Sequence, residues 1–141
     1  MQFDDEYPSC EETYATLRIF AETLSGTEIA DALGLTATES FSRGDPFGSK
    51  GRSRRHSGWL LSTRGMVTSR DSRRHIGWLL DRLRTKEAAL ESLRRSGAEL
   101  DISCYYLSSG QGGPTMSSKQ MKALGELGLD VCWDIYFQPS A

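Results

Sequence analysis

Apolar residues occupy every second position over residues 14–20. Ala15, Leu17 and Ile19 point one way and Tyr14, Thr16, Arg18 and Phe20 the other, which predicts a strand with one buried face. The alternation returns over 100–107, where Leu100, Ile102, Cys104 and Tyr106 oppose Asp101, Ser103, Tyr105 and Leu107. A last strand is predicted to bury Leu129, Val131, Trp133, Ile135 and Phe137 and to expose Asp130, Cys132, Asp134 and Tyr136. Two shorter strands are predicted at 39–43 and at 56–63, the second carried by Trp59, Leu60 and Leu61. Elsewhere the apolar spacing changes to three and four. Ser25 and Glu28 form a capping box before Ile29, Ala30 and Leu33, and Gly34 stops this short helix. Ile76, Leu79, Leu80, Leu83, Leu90 and Leu93 predict one long helix over 72–95, capped by Asp71 or Ser72 and ended by Gly97. Ser117 and Gln120 form a second capping box, opening a helix that ends near Gly128.

The predicted order is β-α-β-β-α-β-α-β. It favours an α+β fold: a mixed, largely antiparallel sheet with helices on one face, a sandwich related to the ferredoxin-like class. Strands buried on one face only argue against a doubly wound sheet, whose strands are apolar on both. A chain of 141 residues fits one domain. Residues 1–12 are polar and read as a loose arm, 13–137 as a single domain and 138–141 as a tail.

Charge divides the chain into blocks. Residues 1–49 hold ten acids and two bases, residues 50–95 four acids and thirteen bases, and residues 96–141 five acids and two bases, for a net −8 + 9 − 3 = −2. The overall balance gives no drive toward nucleic acid or membrane, so any such drive rests on the basic block. The apolar runs fall far short of the roughly 20 residues that span a bilayer. Met1 to Glu6 is acidic, without the basic and apolar regions of a signal peptide. Cys10, Cys104 and Cys132 lack CxxC spacing, which suits reduced thiols in a cytoplasm. A Cys104–Cys132 bridge between strands stays open as the lesser alternative.

The sequence SRRHSGWLL at 53–61 recurs as SRRHIGWLL at 72–80. An offset of 19 residues without a third copy is too short for packed structural repeats. The first copy reads as strand and the second as helix, because only the second continues with helical periodicity.

Several segments, taken in order, resemble a known family. They are Leu17-Arg18-Ile19-Phe20, the short capped helix, Arg43-Gly44-Asp45-Pro46, the strand with Gly58-Trp59, the long helix, the Gly110-Gln111-Gly112-Gly113 loop, and the closing 129–136. Together they look like the bacterial domain-of-unknown-function family DUF4279 over residues 12–137. The resemblance implies a small cytoplasmic bacterial protein and supplies no activity to carry over. The arginine-rich 50–55 loop and the doubled RRHxGWLL lie outside it.

Candidate chemistry is sparse. Gly110, Gln111, Gly112 and Gly113 lie between a strand and a helix, where phosphates are cradled elsewhere. The loop matches no phosphate-binding pattern, and Pro114 removes a donor, so it reads as a connection. No GxSxG or paired nucleophile is present, and no catalytic residue is assigned. His56, His75 and Asp71 with the scattered cysteines lack metal-ligand spacing; no metal or other cofactor is expected, and Asp71 with His75 reads as a surface pair or cap. Asp101, Asp130 and Asp134 share the predicted open face with Arg18, the nearest approach to an acid–base site. Tyr14, Phe20, Tyr105 and Tyr136 share it too, and Trp59, whose direction the apolar run 59–61 leaves open, is grouped with them. Aromatics among charges on an open sheet suit a contact surface.

The leading expectation is a non-enzymatic interaction domain, immunity-like or regulatory, meeting a protein partner or a second copy through Tyr14, Arg18, Phe20, Trp59, Asp101, Tyr105, Asp134 and Tyr136. One alternative is a small-molecule-binding or hydrolytic domain using the face carboxylates, with the glycine loop as a lid. The other is weak nucleic-acid binding through residues 50–74, disfavoured because the acidic N-terminal third is expected to lie against the basic block.

Overall fold

The structure, a computed structural model, describes residues 2–139. Its elements are β1 (Cys10–Ala21), α1 (Gly26–Leu33), β2 (Glu39–Phe41), β3 (Ser57–Ser62), α2 (Ser72–Leu83), α3 (Glu87–Arg95), β4 (Glu99–Ser108), α4 (Ser118–Leu127) and β5 (Asp130–Phe137). The strands form one sheet in the order β2-β3-β1-β4-β5. All neighbours are antiparallel except β4 and β5, which run parallel across the α4 crossover. The fold is α+β, a mixed and mostly antiparallel sheet with the helices on one face.

Alternation decides which face is covered. Leu17 and Ile19 of β1 pair with Leu61 and Trp59 of β3, and Ala15 and Leu17 pair with Cys104 and Ile102 of β4, all on the same face. These side chains meet Ile29 and Leu33 of α1, Ile76, Leu79 and Leu83 of α2, Leu90 and Leu93 of α3, and Leu124 and Leu127 of α4 in one core. Removing each large aliphatic side chain from water contributes roughly 1.5–3 kcal/mol.

Local signals set the helix ends. Ser25 and Glu28 make the full capping box, at 3.0 and 3.1 Å, and Gly34 closes α1 at φ 67°. Asp71 caps α2 by accepting from the Arg73 amide. Ser117 caps α4 through the Gln120 amide, but the Gln120 side chain does not return to it. Instead Gln120 Nε2 turns inward and donates to the Arg73 carbonyl at 2.6 Å, joining α4 to α2.

The predicted long helix is two helices. Leu83 and Leu90 are both core residues, but Arg84-Thr85-Lys86 between them offers no apolar side chain to hold another turn on the core. The Lys86 amide donates to the Leu83 carbonyl in a tighter turn, and the chain restarts as α3. The predicted strand burial at the C-terminus is also corrected. Leu129 is buried and Val131 and Trp133 are half-buried, but Ile135 and Phe137 are 55% and 66% exposed. The packing over the inner face reaches only the first half of β5.

The polar arm is tied down. The Asp4 amide donates to Asp71, Asp5 holds Ser69 and Arg74, and Tyr7 Oη donates to the Gly113 carbonyl. Residues 10–12 already belong to β1. Asp71 and His75 are not a surface pair: they are 5% and 1% exposed, with Asp71 paired to Arg73 and His75 held by Thr63 and Ser69. The two RRHxGWLL copies divide as read, the first into β3 and the second into α2.

Candidate functional site

The face of the sheet opposite the helices carries three tyrosines from three adjacent strands. The registers Tyr14↔Tyr105 and Leu107↔Tyr136 set them side by side. The Tyr14 and Tyr105 rings stack with centroids 4.9 Å apart and planes 15° apart, and Tyr105 and Tyr136 lie at 5.5 Å and 37°. Stacked aromatic pairs of this kind favour a fixed ring geometry. Desolvation in this crowded row raises the Tyr105 phenol above its ordinary value, with Glu12 adding to it.

Arg18 and Asp101 lie opposite each other on β1 and β4. Arg18 Nε and Nη2 donate to the two Asp101 oxygens at 2.8 and 2.6 Å, a bidentate pair that raises the arginine further. Phe20, next along β1, meets the His56 ring edge-on at 5.3 Å. The Arg64 guanidinium lies 5.1 Å from the Tyr14 ring centre and reaches toward Glu12.

Of the expected face residues, the fold thus brings together Tyr14, Arg18, Phe20, Asp101, Tyr105 and Tyr136, with Asp134 beside Tyr105 in register and exposed. Trp59 does not belong there. It pairs with Ile19 on the inner face and is 0% exposed in the core. Gly58 takes the outer position instead, and the Phe41 ring lies across it. Arg64 and His56 join the face unforeseen: Arg64 lies beyond the strand expected at 56–63, and His56, its first residue, precedes the apolar run that marks it and falls just outside β3.

The glycine loop is bound to the arm. The Ser109 amide donates to the Ser9 carbonyl, Ser109 Oγ to the Pro8 carbonyl, and Tyr7 Oη to the Gly113 carbonyl. Gly112, at φ 104°, lies against Ser9 and Tyr7, a conformation and a closeness that suit glycine alone. These hydrogen bonds run to the arm, not to Arg18, Asp101 or Asp134.

Two hollows lie elsewhere. A groove of about 900 Å³ runs between α2 and α4, bounded by Phe3, Met66, Trp78 and Lys119. A second, of about 530 Å³, lies at the strand ends near Phe20, His56 and Glu99. Asp101, Asp134 and Gly110–Gly113 line neither. Among the described residues, no cluster of three or more His, Cys, Asp or Glu is arranged to hold a metal ion. The cysteines are free: Cys104 faces the core and Cys132 the open face, so no bridge joins them. Burial pushes the Cys104 thiol up to about 12 and the Cys10 thiol up to about 11, which keeps both protonated. No described helix is long and apolar enough to cross a membrane.

No curated protein and no solved structure is similar to this chain. A family model described as a domain of unknown function, DUF4279, matches residues 11–138. That span runs from the second residue of β1 to just past β5 and takes in the whole tyrosine row. The chain belongs to the DUF4279 family.

Proposed function

We propose that this protein is a non-enzymatic interaction domain of a bacterial cytoplasm, immunity-like or regulatory, that binds a protein partner through its open sheet face. The observation that carries this reading is the row Tyr14-Tyr105-Tyr136, stacked on a face that no helix covers. Tyrosines supply large, rigid contact area at small entropic cost and keep a hydroxyl for a partner. Stacking and the flanking Arg64 hold the row in place before any partner arrives.

The carboxylate alternative is less well supported. Asp101 has both oxygens engaged by Arg18, which leaves it poorly placed to exchange protons. RNA is disfavoured on the same face, since Asp130 and Asp134 repel phosphates and Arg18 is already held by Asp101.

A Tyr14→Ser, Tyr105→Ser double variant tests the proposal. Both rings are half-exposed, so the fold should persist by circular dichroism. Burial of each aromatic against a partner contributes roughly 1.5–3 kcal/mol. A partner recovered by the wild type and measured by calorimetry should therefore bind the variant at least tenfold more weakly. Unchanged affinity, or no partner for the wild type, removes the reading.

A further inference from the structure

The sheet has two edges of different character. β2 is three residues long, whereas β5 runs for eight with a continuous register against β4 and, among the described residues, no strand on its other side. Edge strands of soluble proteins are commonly blunted by charged side chains, above all lysine, or by proline, a bulge or a cover. β5 has no lysine, proline or bulge within it, and its two charges, Asp130 and Asp134, stand on the open face and leave the helix-side face apolar. It also carries the exposed apolar side chains Ile135, Tyr136 and Phe137. The Gln138 amide donates to the Ser108 carbonyl at 2.8 Å, which sets the direction of the strand's polar groups. Even-numbered residues turn toward β4, so the amides and carbonyls of Trp133, Ile135 and Phe137 point to the free edge.

We infer that a second copy of this chain pairs antiparallel with β5, with Ile135 on the two-fold axis, joining two five-stranded sheets into one. Four physical conditions select that register. Opposed residues must lie on the same face, so the axis passes through a residue and not between two. An axis at Asp134 would set two carboxylates directly opposite, which is destabilising. An axis at Trp133 would carry the exposed Phe137 to Leu129, which is already buried in the core. An axis at Tyr136 would put Pro139, which has no amide proton, opposite Trp133, whereas the Ile135 axis sets Phe137 there and moves Pro139 out to Val131 at the end of the ladder.

With the axis at Ile135, Ile135 meets its own copy, Trp133 meets Phe137, and Asp134 meets Tyr136. About six backbone hydrogen bonds form, two for each pair of outward-facing residues. The axis stands perpendicular to the sheet, so both helix layers fall on one side and both tyrosine rows on the other. The interface is isologous and closes as a dimer. It goes beyond the open-face reading, and either can fail without the other.

The test uses the full chain. Sedimentation should show a dimer for the wild type, and Ile135→Lys, which places two ammonium groups on the axis, should weaken it about tenfold or more. Ile135 is 55% exposed, so circular dichroism of that variant should match the wild type. The Tyr14→Ser, Tyr105→Ser variant should still dimerise, which separates this proposal from the previous one. In a Cys132→Ser background, Ile135→Cys should form a disulfide dimer on mild oxidation, because opposed hydrogen-bonded residues lie about 5.5 Å apart. Asp134→Cys should not. A monomeric wild type at about 100 µM, far above the Kd of a stable dimer, would overturn the proposal and leave the edge to an unrelated extended peptide. A disulfide dimer from Asp134→Cys but none from Ile135→Cys would overturn it equally.

Discussion

At His75 a buried ring is satisfied on both nitrogens. The Ser69 carbonyl can only accept, so the 2.8 Å contact places the proton on Nε2. Nδ1 then accepts from Thr63 Oγ1 at 2.6 Å, and the same hydroxyl oxygen accepts the Ala15 amide. The chain of bonds links α2 to the turn after β3 and to the central strand. Burial lowers the His75 pKa, and the repulsion of Arg74 adds to it, although Ser69, Asp71 and Asp5 act the other way. A depressed folded-state pKa means that the unfolded chain takes up the proton first on acidification. Stability is therefore complete above the unfolded value of about 6.5 and declines as pH falls from there toward the folded value. Urea midpoints measured between pH 7.5 and 5, a range bracketing that value, should fall for the wild type. The slope should flatten in His75→Gln, which does not titrate. His75→Ala at neutral pH should cost about 2–4 kcal/mol, since it opens a cavity and strands Thr63 and Ser69. An unchanged midpoint would show that the relay contributes nothing.

Among the elements, β2 is held by contacts out of proportion to its three residues. Phe41 lies across Gly58, and a β-carbon at Gly58 would overlap its ring. Arg54 stacks on that ring at 3.8 Å and on Phe47 at 3.9 Å, folding the 42–56 connection against the edge. The connection begins with a turn in which Asp45 accepts the Ser42 amide at 2.7 Å and Gly44 takes φ 90°. Gly58→Val should displace Phe41 and with it the Arg54 stack, costing about 1–3 kcal/mol as overpacking does. Hydrogen exchange should rise in β2 and residues 42–56 while α2 stays protected. Uniform loss of protection would mean that β2 is integral to the core. At the opposite end of the fold, Arg94 of α3 donates to the Leu127 and Gly128 carbonyls at 2.6 and 2.8 Å, satisfying the C-terminus of α4.

For the whole molecule, the three charge blocks interlock. Arg54 pairs with Glu39, Arg64 with Glu12 and Arg74 with Asp5, each joining the basic block to the acidic N-terminal third. Arg73, Arg84, Arg94 and Arg95 find carboxylates within the block itself. Apart from Arg73–Asp71, whose carboxylate is buried, these exposed pairs contribute little stability singly, but together they engage seven of the block's eleven arginines. Affinity for duplex DNA or single-stranded RNA should be no tighter than about 10 µM at about 150 mM salt. Fluorescence anisotropy with labelled oligonucleotides measures it. Submicromolar binding abolished by changing Arg54, Arg55, Arg73 and Arg74 to Ala would reverse that ranking.

Periodicity and capping by themselves determined the eight predicted elements, the two faces of β1 and β4, and the placement of the tyrosine row, because alternation and helical spacing report a local geometry that each residue obeys. They placed Arg18 and Asp101 on one face, but not in contact. Tertiary structure decided everything that depends on what lies opposite. Trp59 sits in a run of three apolar residues, Trp59-Leu60-Leu61, where alternation is silent, and only pairing with Ile19 sends it inward. The break after Leu83 shows only in the packing, where the core resumes at Leu90 on a separate helix, since every local signal there allows a helix to continue. Ile135 and Phe137 continue an apolar alternation faithfully, yet remain exposed because the core packing stops short of them. His75 looked like a surface residue because its partners lie at Thr63 and Ser69, in a turn whose position only the assembled sheet and helix define.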